Sequence, residues 1–225
     1  MSSPDSAAVY RSVLERLTGL ASTLDAGQLA TVVPTCPAWT VQDVYAHLTG
    51  LADDILRGKV AYPVEHAATA AQVDMRRGRA IGEIVAEWRS YAPALEEVIT
   101  ALGRVGGVVA GDAWTHDQDI HNALGIVSGR TGEGVDLMLL GAWRLKRTLR
   151  EAGVPPLRVI SGDVDWVLGD TDPAATLRID PYELARALLG RRSVAQMRSY
   201  DWEGDPSPYL AFIPSFPPPD TDIVE

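Results

Sequence analysis

Cysteine is nearly absent: Cys36 stands alone in 225 residues. One thiol forms no internal disulfide, which fits a chain kept in a reducing compartment. Long apolar runs are missing too, since no stretch approaches the roughly 20 apolar residues a membrane helix needs. The opening M-S-S-P-D-S has neither the basic start nor the apolar stretch of a secretory signal. The chain is therefore expected in the cytoplasm. Positive charge is also short, with 20 Lys and Arg against 30 Asp and Glu, a net charge of −10 and a pI near 4.8. Such a surface repels a nucleic-acid backbone and an anionic membrane, so neither is expected as a partner. What is present is 46% hydrophobic residues, enough for one large or two small domains.

Apolar residues Val9, Val13, Leu14, Leu17, Leu20 and Leu24 recur at helical spacing and predict a first helix over about 6–25, stopped by Ala26-Gly27. The second helix has an explicit start. Thr40 is placed as N-cap, Asp43 as the N3 acid of a short capping box, and Trp39 with Val44 as a hydrophobic staple. From Gly58 to Gly78, a span holding Pro63 and His66, the pattern lapses and predicts a long loop. A helix over about 80–102 carries Pro93, which predicts a kink or break. The Gly-rich stretch from Gly103 leads into another helix, and a last one is expected over 134–152.

Composition changes after Gly153-Val154-Pro155-Pro156. Short β-prone runs at 157–160, 166–168 and 176–179 are separated by Asp, Gly and Pro turns. Asp180 with Pro181 starts a helix that Gly190 ends, and Ser193 caps another. The proline-rich tail is expected to be extended and surface-lying. The fold class is α+β, with a helical domain over 1–153 and a smaller α/β domain over 154–225.

Four histidines are available, at 47, 66, 116 and 121. Asp112, His116 and Asp119 stand at i, i+4 and i+7, so a helix stacks them in one stripe that ordinarily holds Leu or Val. Unpaired ionisable groups are costly to bury, and a cation would satisfy them. His47 borders the apolar stripe of its own helix, and a bundle can bring it to that face. One His joined to a carboxylate–His pair gives three N/O donors with a position left open, the pattern of catalytic zinc. Asp119 could orient a ligand or act as a base. An Asp–His pair at this spacing is also a common surface salt bridge. His121 lies opposite Asp112 on the wheel and is expected exposed, and His66 falls in the loop, so neither is taken as a ligand. Cys36, before a proline, is expected as a packed small hydrophobe. Arg191 and Arg192 are expected at a solvated helix end.

The segments C-P-A-W-T-V-Q-D-V-Y-A-H-L, D-A-W-T-H-D-Q-D-I and G-R-R-S with W-E-G-D-P-S-P-Y-L together resemble the mycothiol-dependent maleylpyruvate isomerase family of actinobacteria. That resemblance covers nearly the whole chain. It implies a four-helix bundle of the DinB type followed by a sterol-carrier-like domain. It also implies metal ligation by His47, Asp112 and His116, with Arg191 as the functional arginine of the second domain. The family pattern has glutamate where this chain has Asp112, so the shorter side chain requires a closer helix at bond lengths of about 2.0–2.2 Å. The implied cofactors are a divalent metal, zinc first, and mycothiol as co-substrate, with a small electrophilic molecule as substrate. In that chemistry the metal lowers the pKa of the thiol, and the thiolate attacks the substrate. A cis–trans isomerase, an S-transferase, a non-catalytic metal- or ligand-binding protein and a zinc hydrolase all remain open at this point, as does a homodimer.

Overall fold

Asp5 caps the first helix by accepting from the Ala7 and Ala8 amides, and α1 runs over Ser6–Ala21. The computed structural model describes residues 4–59 and 66–225, with only the backbone of His66. It divides into two compact units, Met1–Ser128 and Gly129–Glu225. The second unit thus begins well ahead of the composition change at residue 153.

In the first unit, α1 is followed by the short α2 (Ala26–Leu29) and a two-stranded hairpin, β1 (Val32–Val33) with β2 (Cys36–Thr40). Then come α3 (Val41–Leu56), α4 (His66–Asp74), α5 (Ile81–Leu102) and α6 (Gly106–Ala123). Four long helices make the bundle: α1 packs on α5 and α6, and α3 packs on α5 and α6. Thr40 caps α3 with the full capping box to Asp43, as the sequence indicates. Buried Leu17, Val44, Ile84, Leu95, Ile99 and Ile120 fill the centre. Two aromatic hydroxyls tie the helices: Trp88 Nε1 donates to Tyr10 Oη at 2.7 Å, and Tyr45 Oη donates to the Leu17 carbonyl at 2.8 Å.

Two expectations fail here. The predicted long loop after Gly58 contains α4, which packs on α3. Its alanine-rich H-A-A-T-A-A-Q-V-D has good helix propensity but little amphipathic pattern, so periodicity passes over it. Of the kink or break expected at Pro93, the break is absent: α5 continues through that residue, because packing on both α1 and α3 outweighs the one lost hydrogen bond. The side chain of His66, like Pro63, lies outside the described residues.

The second unit opens with α7 (Glu133–Leu139) and α8 (Ala142–Glu151). These replace the single helix expected over 134–152, because Leu140 and Gly141 turn through tight bonds to Leu137 and Met138. Strands β3 (Leu157–Ser161), β4 (Val164–Leu168), β5 (Ala175–Arg178) and β6 (Asp201–Glu203) form one sheet in the order β4-β3-β5-β6. Gly162, at φ +56°, makes the tight β3–β4 turn. The β3–β5 pair is parallel and the other pairs are antiparallel. Helix α9 (Pro181–Leu188) starts at Asp180 with Pro181 as expected, and α10 (Val194–Arg198) starts at Ser193. The proline-rich tail is not merely surface-lying. Tyr209, Leu210 and Ile213 are buried, and Arg144 Nη2 donates to the Phe212 and Ile213 carbonyls.

Candidate metal centre

Helix α6 buries an uninterrupted run from Ala113 to His121 that includes Thr115, His116, Asp117, Gln118 and Asp119. A helix buried all round with polar residues must find partners on each side. On one side, Asp117 accepts from Arg16 of α1 through Nε at 3.0 Å and Nη2 at 2.6 Å. His121 joins it: Nδ1 lies 3.2 Å from Asp117 Oδ1 and 2.8 Å from the Asp117 carbonyl. His121 is only 3% exposed, so the expectation that it faces water is wrong. The wheel placed it opposite Asp112 correctly, but that side of α6 is covered by α1. Burial opposes charge on the His121 ring, and Asp117 more than compensates, raising its pKa.

On the other side are the groups expected to bind metal. His47 Nε2 lies 3.6 Å from Asp112 Oδ2, and His116 Nε2 lies 3.8 Å from Asp112 Oδ1. Each carboxylate oxygen thus faces one imidazole nitrogen, beyond hydrogen-bond length. Bonds of about 2.0–2.2 Å to a tetrahedral ion would separate neighbouring donors by roughly 3.3–3.6 Å. The 3.6 Å pair lies at the upper end of that range and the 3.8 Å pair just beyond it, so a small divalent cation would draw the donors slightly inward. All three donor atoms lie within 4.8 Å of one another. Both histidines are buried, whereas the Asp112 side chain is 36% exposed, which leaves an approach from its side.

Asp119, the expected orienting residue, is buried and puts Oδ2 3.2 Å from His116 Nδ1. The arrangement is that of a carboxylate behind a metal-ligating histidine. Burial disfavours charge on His116, but Asp112, Asp119 and a hydrogen bond with Cys36 push its pKa up to about 10. The pocket between two carboxylates demands positive charge, as a proton or as a metal ion.

Three further neighbours were not found from sequence. Cys36, on β2, is half-buried, and its sulfur lies within 4.8 Å of donor atoms of His116 and Asp119. Trp39, read as a staple, sets its ring 4.9 Å from the His47 ring and 6.2 Å from the His116 ring. Both stand in the hairpin that the capping signal follows directly. Gln72 Oε1 lies 2.8 Å from His47 Nδ1; it belongs to α4, and nothing in its sequence neighbourhood marks it.

Arg191 belongs to the second unit, where its Nη1 donates to the Leu189 carbonyl at 3.1 Å and the residue is half-buried. Arg192 is not at a solvated helix end. It is 2% exposed and is held by Glu183 and Glu225 at 2.7 and 2.8 Å.

The sequence model of the mycothiol maleylpyruvate isomerase N-terminal domain matches residues 10–124, just over half of the 225. The chain belongs to this family. Two solved structures share its fold: a mutant of the mycothiol-dependent maleylpyruvate isomerase, at TM-score 0.55 and 12% identity, and that isomerase itself, at 0.53 and 10%. Each match covers 83% of this chain and 88% of the other. No curated protein sequence gives a significant match. The span shared with the family contains Cys36, Trp39, His47, Gln72, Asp112, His116 and Asp119, whereas Arg191 lies beyond it.

Proposed function

We propose that this family member is a metal-dependent enzyme that uses mycothiol, of the cis–trans isomerase or S-transferase type, acting on a small electrophilic molecule. The observation that carries the reading is the convergence of His47, Asp112 and His116, from two helices, on one carboxylate-centred donor set. A divalent ion held there, zinc being the first candidate, would lower the pKa of a bound thiol toward neutrality.

The chain's own groups have separate tasks. Asp119, whose Oδ2 lies 3.2 Å from His116 Nδ1, would keep that ring in place, which leaves Nε2 facing Asp112. Trp39 lies against both histidine rings and excludes water from that side. Arg191 would hold a substrate carboxylate through its guanidinium. With mycothiol bound, its thiolate would add to one carbon of a conjugated cis double bond as the π electrons move onto the neighbouring carbonyl. Rotation about the resulting single bond and loss of the same thiolate would give the trans product, whereas a transferase would protonate and release the adduct.

Calorimetric titration of mycothiol into zinc-loaded and metal-stripped protein tests this reading. Binding that requires the metal is expected. Full zinc content without any thiol binding would leave a metal-binding protein outside thiol chemistry. Turnover of esters or amides without thiol would favour hydrolysis.

A further inference from the structure

His47 can ligate through Nε2 only if that nitrogen carries a lone pair, and a free imidazole does not choose its tautomer unaided. Its other nitrogen, Nδ1, meets Gln72 Oε1 at 2.8 Å. On the far side of the same amide, Gln72 Nε2 donates to Asp54 Oδ2 at 2.7 Å. A carboxylate only accepts, so Asp54 fixes which end of the amide faces it. The NH2 must point to Asp54 and the oxygen to His47. Gln72 Oε1 also only accepts, so His47 Nδ1 must carry the hydrogen. The lone pair is then on Nε2, the atom that faces Asp112. Reversing the amide would set two oxygens against each other at Asp54 and put the ring proton on the ligating nitrogen.

We infer that Gln72 and Asp54 are positioning residues that lock His47 in its metal-competent tautomer. The inference rests on the metal reading of the site. The chain is built to bring Gln72 there. Gly50, three residues after His47 on α3, is where α4 makes its approach: a Cβ on Gly50 would lie 2.5 Å from Gln72 Cβ and 2.8 Å from its Cγ. One turn further along, Arg76 Nη1 donates to the Gln72 carbonyl at 3.3 Å, and its Nη2 binds Glu87 of α5. Gln72 itself is 5% exposed, so water does not compete for its amide. Partners behind metal-bound histidines are worth about 10–100-fold in affinity when removed.

The test uses the full chain labelled with 15N-histidine, with zinc as the only added ligand. Long-range 1H–15N spectra of the metal-stripped protein at mildly alkaline pH read the His47 tautomer directly. Wild type is expected to hold its proton on Nδ1. Gln72→Leu is expected to mix the tautomers and weaken zinc binding about 10–100-fold, with its melting temperature measured alongside to establish that it is folded. The charge-conserving swap Asp54→Asn with Gln72→Glu keeps a donor facing an acceptor and keeps an acceptor for His47, so it should restore affinity. A wild-type proton on Nε2, or a folded Gln72→Leu that binds zinc as tightly as wild type, overturns the inference. If wild type takes up no zinc, the proposed function fails, and the tautomer alone then decides whether the pair orients His47.

Discussion

His116 is where the chemistry of the first unit concentrates, because its two nitrogens face different carboxylates, Asp112 and Asp119. With its pKa raised to about 10, the ring is protonated at neutral pH unless a metal takes the proton's place. Metal and proton compete, so apparent zinc affinity should rise with pH, by about tenfold per unit for each proton displaced. Competition titrations with a chelator between about pH 6 and pH 8 measure the slope; a flat profile contradicts the arrangement. The stripe of Asp112, His116 and Asp119 was legible from spacing alone, since a helix leaves those residues no other relation. His47 was legible as a border residue of its own helix. What the wheel could not show was His121, because solvent on the opposite face was an assumption, and Arg16, 101 positions before Asp117, removes it. The place of Trp39 beside the site is hidden in the sequence for a related reason: the histidine rings next to it come from α3 and α6.

At the scale of elements, Arg16 and Asp117 clamp α1 to the helix that carries Asp112, His116 and Asp119. Asp117 is fully buried and Arg16 is about one-quarter exposed. Arg16→Ala leaves a buried carboxylate with its main cation gone, so a loss of about 3–5 kcal/mol is expected, read as a lower midpoint in urea unfolding. A change within a few tenths of a kcal/mol would show the pair to be incidental. The α5–α6 junction has its own constraint at Gly106, where a Cβ would lie 2.1 Å from the Ile99 carbonyl oxygen. Gly106→Ala must push the start of α6 away, and a destabilisation of about 1–3 kcal/mol follows from overpacking. Most helices were readable because caps and apolar periodicity agree, as at Thr40 and Asp180. Helix α4 was not, since it is held by contacts with α3 and by Gln72 and Arg76 rather than by an apolar stripe.

For the molecule as a whole, composition marks the first strand of the sheet, but the second unit starts earlier, at Gly129. Helices α7 and α8 look like continuations of the first domain in sequence, and α7 instead packs on α9. That unit is fastened through Glu225, which accepts from Arg186 at 2.5 Å, from Arg192 at 2.8 Å and from the Tyr182 hydroxyl at 3.0 Å. Burial opposes the Glu225 charge, but the two guanidinium groups outweigh it and hold its pKa below the ordinary glutamate range. A carboxylate with a depressed folded pKa stabilises fully above its unfolded value, about 4.3, and loses that contribution as pH falls toward the folded value. Wild type should therefore lose stability more steeply below about pH 4.5 than Glu225→Gln, which is weaker at neutral pH but flatter in acid. Parallel acid profiles would contradict the network.

Metal ligation by His47, Asp112 and His116 is the central proposal. Elemental analysis of the purified chain after zinc loading and dialysis tests it directly. One equivalent of zinc is expected in wild type and in His121→Ala, and none in His47→Ala or His116→Ala. Equal zinc in all four proteins, or none in any, would contradict it.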